Sequence, residues 1–203
     1  MINIPVDQNT DAWFTEKLGK ISASNADKIM TDDFKPSKQR EGYLYELAAE
    51  RITGQRDPLA YKGSGYMEQG NERQEESRKL YELMYDCEVT PGGVCYPDDK
   101  KQFLCSPDGI IVDSNGLEMK NPAPKTQVKY LLKGELPTEY KPQIQMSLLV
   151  TGFEFWMFMS YSPGLDPLVI KVVRDEKYIG ALRGELMTAC QELEAIIQKV
   201  KNR

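Results

Sequence analysis

The stretch from Phe103 to Pro122, Phe-Leu-Cys-Ser-Pro-Asp-Gly-Ile-Ile-Val-Asp-Ser-Asn-Gly-Leu-Glu-Met-Lys-Asn-Pro, constrains the chain more than any other. Gly109 to Val112 is a short β-branched run, and Asp113 to Gly116 is a dense turn signal. Leu117 to Lys120 alternates apolar and charged residues at the period of a strand. The spacing predicts a β-hairpin in which Glu118 and Lys120 share one face while Leu117 and Met119 point the other way, into a core. Folding the hairpin back carries Asp108 toward the edge that bears Glu118. Two carboxylates converging on one point make a hard-oxygen site that suits Mg²⁺ or Mn²⁺ better than zinc. A lysine two residues along can orient a water or steady developing charge. Side-chain parity sets a further condition. If Val112 pairs with Leu117 across a four-residue loop, strict alternation leaves Asp108 on the face opposite Glu118. Bringing both carboxylates to one side takes either a three-residue loop with Gly116 left-handed, or a bulge where Gly109 follows Pro107.

Composition removes several chemistries. The chain has no histidine, which excludes a Ser-His-Asp triad, a Cys-His pair, a His-ligated zinc and histidine-metal nucleases. Its four cysteines, Cys87, Cys95, Cys105 and Cys190, show no Cys-x-x-Cys spacing and are expected to be reduced and mostly buried. With 203 residues, 40% hydrophobic and 28% charged, the chain suits one α/β domain spanning residues 1–203. The N-terminus has no basic region followed by an apolar run, and no window approaches 18 consecutive apolar residues, so a cytoplasmic location with no membrane contact is expected. A net charge of -5 weighs against nucleic acid unless basic residues gather on one face.

Along the chain, Asp11 to Phe14 begins a short helix, with Trp13 as a core anchor, and Leu18 to Ile21 turns into a strand edge. Ser22-Ala-Ser-Asn opens a helix over Ala26 to Met30, and such a start can cap itself or bind an anion. Thr31 to Arg40 reads as a polar loop, either solvated or facing a polyanion. Glu41 to Thr53 has the helical period and ends at Gly54. Met67 to Met84 reads as a helix with Leu80, Leu83 and Met84 toward the core. Glu88 to Tyr96 and Lys101 to Cys105 are expected strands, Val128 to Lys133 a short helix, and Tyr140 to Val150 a helix with Pro142 in its first turn. Phe153 to Tyr161 and Leu168 to Val173 read as strands, and Asp175 to Val200 as a closing amphipathic helix. A mixed sheet flanked by helices is the natural assembly.

A bare Pro-Asp-Gly is ordinarily a turn, and a Glu-x-Lys on a strand an exposed charge pair. The neighbouring motifs lift the hairpin above that. Ser-Pro-Asp followed after nine residues by Glu-Met-Lys resembles the PD-(D/E)XK nuclease signature. Trp13 to Ser24, Gly70 to Tyr81, Cys105 to Gly109, Leu117 to Pro122 and Gln143-Ile-Gln-Met follow in the order seen in the phage lambda exonuclease and YqaJ-like viral recombinase nucleases, over about residues 11 to 180. The resemblance implies a restriction-endonuclease-like fold with a central mixed β-sheet flanked by helices. It implies a metal held by Asp108, Glu118 and the Met119 carbonyl, with Lys120 acting on water and charge and Gln143 near the attacked phosphate. It places Lys17 and Ser24 on a DNA phosphate, and Ser106, beside Asp108, completes that anion pocket. Lys17 stands where the family has arginine, a point charge in place of a fork. Four positions after Gly70, where the family usually has an acidic metal ligand, this chain has Gln74, with Glu72 and Glu75 as neighbours that could substitute. An amide oxygen can ligate without charge. The implied activity is Mg²⁺-dependent removal of one strand of double-stranded DNA from a 5′ end, by a homotrimeric ring. The 3′ overhang passes to a single-strand annealing protein in phage-type recombination, in the bacterial host of a phage or prophage. An endonuclease of the same fold and a catalytically silent DNA-binding protein are the alternatives.

Overall fold

The structure, a computed structural model, describes residues 1–56, 64–111 and 115–203, with the backbone alone described for 64–72. In chain order the elements are β1 (Ile2–Ile4), α1 (Asp11–Lys17), β2 (Ile21–Ser22), a 3-10 helix (Ala23–Lys28), α2 (Arg40–Thr53), α3 (Ser64–Tyr85), β3 (Val89–Thr90), β4 (Val94–Tyr96), β5 (Phe103–Leu104), β6 (Gly109–Ile111) and β7 (Asn115–Lys120). They continue with α4 (Pro124–Lys133), a 3-10 turn (Thr138–Tyr140), α5 (Lys141–Thr151), β8 (Phe155–Ser160), β9 (Leu168–Val173) and α6 (Glu176–Lys201). Among the described residues the strands form a five-stranded mixed sheet in the order β3-β6-β7-β8-β9, and two further pairs, β1-β4 and β2-β5. β7 runs antiparallel to β6 and parallel to β8, with Glu118 beside Phe158. This is the mixed sheet flanked by helices that the hydrophobic periods predict.

The two faces of the sheet are read directly from side-chain alternation. Trp156 and Phe158 of β8 enter a large core with residues of α2, α5, α6 and the first 3-10 helix. Leu117, Met119 and Met159 point the other way, onto Tyr81 of α3. Burying each of these large apolar side chains stabilises the fold by roughly 1.5–3 kcal/mol. Glu118, in register with Phe158, therefore lies on the face of the main core and is only 2% exposed. The charged face of β7 is thus enclosed too, where the sequence reading left both charges at an open edge.

Local chemistry explains most boundaries. Thr10 caps α1 by accepting the Trp13 N–H, and Asp175 caps α6 by accepting that of Tyr178. Gly54, Gly134 and Gly152 end α2, α4 and α5 in the left-handed conformation. Several expectations need correction. The region Glu88 to Tyr96 is two strands, because Pro91 removes a donor and Gly93 sits at φ 63. The helix expected over Ala26 to Met30 is a 3-10 helix beginning at Ala23, with no side-chain cap from Ser22. Leu83 and Met84 are 82% and 45% exposed, and the inward stripe of α3 is Ser77 and Tyr81, with Leu80 packed beside them. Arg40 starts α2 and is buried against Glu185 and Glu192 of α6, which removes it from any DNA-facing loop. The cysteines are all free, with Cys95, Cys105 and Cys190 buried as expected.

Candidate active site

The hairpin solves its parity condition through the length of its connection. Gly109 pairs with Leu117, Ile110 with Gly116 and Ile111 with Asn115, so three residues, 112–114, join the strands. Of the turn expected at Asp113 to Gly116, residues 113 and 114 lie outside the described residues, and Asn115 and Gly116 belong to β7. Gly116 is not left-handed as expected; it sits inside the ladder, and a Cβ there would come within 2.3 Å of the Trp156 ring. This register sets Asp108 directly opposite Glu118, on the same face. At the expected bulge position the Asp108 N–H reaches Leu117 O at 3.1 Å, one residue off the ladder.

β7 runs past the start of β6, so Met119 and Lys120 have β8 on one side and no ladder partner on the other. Asp108 fills the gap: its Oδ2 accepts the Met119 N–H at 2.7 Å. The N–H and C=O of a strand residue point the same way, so the Met119 carbonyl faces this open corner as well. Beside it, Lys120 Nζ lies 2.5 Å from Glu118 Oε1 and over the Tyr140 ring. Asp108, Glu118, Lys120 and the Met119 backbone are thus brought together by one strand overhang.

The electrostatics are those of a crowded anionic corner. Burial, and then the charge of Glu118, push the Asp108 carboxyl up to about 7, against the opposing pull of Lys120, the Met119 N–H and Gln8. Burial pulls the Lys120 ammonium down, but the charges of Glu118 and Asp108 outweigh it and hold it above its ordinary value. Lys120 stays protonated at neutral pH and serves as a cationic donor, not as a base.

Two amides complete the corner, one expected and one missed. Gln74 Nε2 donates to Asp108 Oδ1 at 3.0 Å, so Gln74 reaches the site but presents its nitrogen; a half-turn of the amide exchanges it for the oxygen. Its neighbour Glu75 is ion-paired with Arg78 and Lys79 while lining the same cavity as Gln74, Asp108 and Met119, and the Glu72 side chain lies outside the described residues. Gln8, just before α1, donates to Pro107 O at 3.0 Å and to Asp108 Oδ1 at 3.5 Å, while its Oε1 accepts from Gln74 at 3.2 Å. No local pattern marks Gln8, because its partners are 66 to 100 residues away in the chain.

On the face of Glu118, a small pocket of about 30 Å³ is lined by Lys17, Ser22, Ala23, Ser24, Ser106, Gln143 and Ser147. All four residues expected around a phosphate other than the metal ligands, Lys17, Ser24, Ser106 and Gln143, meet there. Burial and the nearby Arg56 lower the Lys17 ammonium to about 8, although Asp108 and Glu118 raise it, and it lies 3.8 Å from the centroid of the Trp13 ring. Among the described residues no carboxylate lies within ion-pair distance of Lys17. The Ser24 and Ser22 hydroxyls are 2.9 Å apart. Ser106 Oγ donates to Gly93 O and accepts the Trp13 Nε1–H, both at 2.8 Å, so its proton is already used and it acts as a tie between loops more than as an anion donor.

The donor set fits a hard divalent cation. Two carboxylates, a strand carbonyl and an amide are oxygen donors, and the two carboxylates, Asp108 and the buried Glu118, sit together beside Lys120. Among the described residues no third acidic, cysteine or histidine side chain joins them, so such a site takes its further ligands from backbone, amide or water.

Comparison with known proteins gives a family and several similar structures. Residues 12–154 match the YqaJ-like viral recombinase domain. The chain is similar to the alkaline exonuclease of Laribacter hongkongensis at 28% identity, covering 95% of this chain and 97% of that one with a TM-score of 0.84. The same values hold for that enzyme in complex with dAMP. A phage-related exonuclease of Haemophilus somnus 129PT shares the fold at 14% identity, with 98% and 97% coverage and a TM-score of 0.62. No curated protein matches the chain.

Proposed function

Because the chain belongs to the YqaJ-like viral recombinase family, we propose that it is a Mg²⁺-dependent exonuclease that degrades one strand of double-stranded DNA from the 5′ end. The family and the likeness to alkaline exonucleases support a phage-type exonuclease, and metal-dependent nuclease chemistry calls for a divalent ion. The finer reading rests on one observation: the corner of Asp108, Glu118 and Lys120 adjoins a cationic pocket of phosphate-binding character at Lys17 and Ser24.

In this reading the 5′-terminal phosphate sits against Lys17, Ser24 and Gln143, which fixes where the next phosphodiester lies and so removes orientational freedom from the reaction. Asp108, Glu118, the Met119 carbonyl and, after a half-turn of its amide, the Gln74 oxygen would hold the cation, Mg²⁺ or Mn²⁺. When bound, that cation supplies Lewis acidity toward the scissile phosphate and the attacking water. Lys120, fixed by Glu118 and the Tyr140 ring, presents an N–H to the water and offsets the negative charge that grows on the phosphate oxygens. Gln8 positions Asp108 and Gln74 relative to each other.

The whole chain of 203 residues acts as one nuclease domain. It works as a homotrimeric ring on double-stranded DNA ends and leaves 3′ overhangs for a single-strand annealing protein, in the cytoplasm of a bacterial host. No helix among the described residues is long and apolar enough to cross a membrane. The test is to offer linear and closed circular duplex together. Degradation of the linear form alone supports the proposal; nicking of the circle supports an endonuclease, and inertness toward both supports a silent binding protein.

A further inference from the structure

Two thiols that the proposed chemistry does not use lie opposite each other, three residues before Asp108. Cys95 of β4 and Cys105, just past the end of β5, form an antiparallel pair that exchanges both backbone hydrogen bonds: Cys95 N–H to Cys105 O at 2.8 Å and Cys105 N–H to Cys95 O at 3.0 Å. Directly opposite residues of such a pair put their side chains on one face. Both cysteines are buried and free. The Cys95 S–H donates to Gly92 O at 3.6 Å, and the Cys105 thiol beside it holds the Cys95 thiol below its ordinary value. Gly92 lines the cavity of about 220 Å³ that reaches Gln74 and Asp108, so the pair lies behind the wall of a space that admits a small oxidant.

In a hydrogen-bonded antiparallel pair the Cα atoms are about 5.5 Å apart, inside the range of roughly 4.4–6.8 Å that a disulfide spans. The Cβ atoms are less well placed. They are up to about 5.5 Å apart where a disulfide needs roughly 3.5–4.5 Å, so closing the bond draws the two segments together by about 1 Å. The surroundings leave little room to absorb that shift. A Cβ on Gly92 would come within 2.4 Å of Pro107 O, so the segments that carry the two cysteines are packed backbone to backbone. Ser106 Oγ is already tied to Gly93 O and to Trp13. Beyond Cys105, only Ser106 and Pro107, whose ring fixes φ, come before Asp108. The displacement therefore passes to Asp108, whose Oδ2 accepts the Met119 N–H.

We propose that Cys95 and Cys105 are an oxidation site, at which hydrogen peroxide forms a reversible disulfide that displaces Asp108 and slows the nuclease. The bond itself is independent of the exonuclease reading; its effect on turnover rests on that reading. Cys95 Sγ attacks one peroxide oxygen, the O–O bond breaks, and a sulfenic acid and one water result. Cys105 Sγ then attacks the sulfenic sulfur, the S–O bond breaks, and the hydroxyl leaves as a second water with the Cys105 proton. Two thiols lose two electrons and one peroxide gains them. A strained disulfide is the readily reduced kind, and a reducing compartment tolerates disulfides that form and break in this way.

The experiment treats the full chain, carrying Cys87→Ser because Cys87 is the one partly exposed thiol, with hydrogen peroxide that is then removed by catalase. Peptide mapping without reductant looks for the Cys95–Cys105 link, and a labelled linear duplex with Mg²⁺ gives turnover. Both are repeated after dithiothreitol. The link should form, kcat should fall by about 10- to 100-fold, the scale of a 1 Å misplacement, and dithiothreitol should restore it. Cys95→Ala and Cys105→Ala should each lose the link and keep their turnover after peroxide. Thiols that stay unlinked, a link that leaves turnover unchanged, a loss that dithiothreitol does not reverse, or a loss that survives in both alanine variants overturns the proposal. If the reduced protein leaves the duplex intact, it is the exonuclease reading that fails. The mapped link, its reversal and the affinity for Ca²⁺, expected to fall on oxidation, then decide the oxidation site alone.

Discussion

The Asp108 side chain takes the place of a missing strand: its Oδ2 accepts the Met119 N–H at 2.7 Å, where β7 has outrun β6. A residue that would hold the metal is therefore fixed by the same backbone whose carbonyl would hold it. Asp108→Asn keeps the shape but loses the charge, and turnover should fall by at least about 100-fold with the melting temperature unchanged or raised. Glu118→Ala should lose activity and stability together, because Lys120 is left half-buried without its partner. Glu118→Gln separates the two, with activity lost and the fold kept. Calorimetry beside a nuclease assay checks each.

Gln8→Ala should lower kcat by about tenfold with little change in KM for DNA, since Gln8 touches Asp108 and Gln74 and lies outside the phosphate pocket. Gln74→Glu should tighten binding of the cation by roughly tenfold, by adding a third carboxylate to the corner. Steady-state kinetics on a labelled duplex reads the first, and titration with Ca²⁺ by calorimetry the second; an unchanged affinity in Gln74→Glu moves that residue out of the site.

Asp108, raised to about 7 by burial and Glu118, holds a proton that its unfolded form has lost. Between its unfolded pKa near 3.9 and about 7 the folded state binds the extra proton, so the metal-free protein should lose stability as pH rises through this window. Cation affinity should rise over the same range, because the cation displaces that proton. Melting in EDTA from pH 5 to 7.5, compared with Asp108→Asn, checks the slope, which should be shallower in the variant.

Lys17, lowered to about 8 by burial and Arg56, is charged below that pH and increasingly neutral above it. The preference for phosphorylated over hydroxyl 5′ ends should therefore be large at pH 7 and shrink by pH 9. Lys17→Arg should hold it constant across the range, and Lys17→Ala should remove most of it at every pH. Rates on the two ends at each pH give the comparison.

The sheet, the closing helix and the carboxylate pair were legible because their signals are local: Leu117 to Lys120 alternates, α6 repeats apolar residues at helical spacing, and Gly152 marks a stop. What was hidden depends on tertiary packing. Leu83 and Met84 carry the apolar period of a buried stripe, yet Ser77 and Tyr81 occupy the inward face of α3. Gly116 reads as a turn residue, and only the Trp156 ring against it shows why a strand needs glycine there. Arg40 looked like loop charge until α6 supplied Glu185 and Glu192. Gln8 had no visible partner until the hairpin folded beside it.

The central claim is a metal-dependent attack that begins at the 5′ end. The direct measurement follows a linear, 5′-phosphorylated duplex labelled at the 5′ end of a strand in one sample and at its 3′ end in another, with Mg²⁺ or with EDTA. With Mg²⁺ the 5′ label should leave at once as a mononucleotide while the 3′ label stays on a steadily shortening strand, and EDTA should stop both. Release of the 3′ label first, internal fragments from the outset, or equal degradation in EDTA would contradict the account.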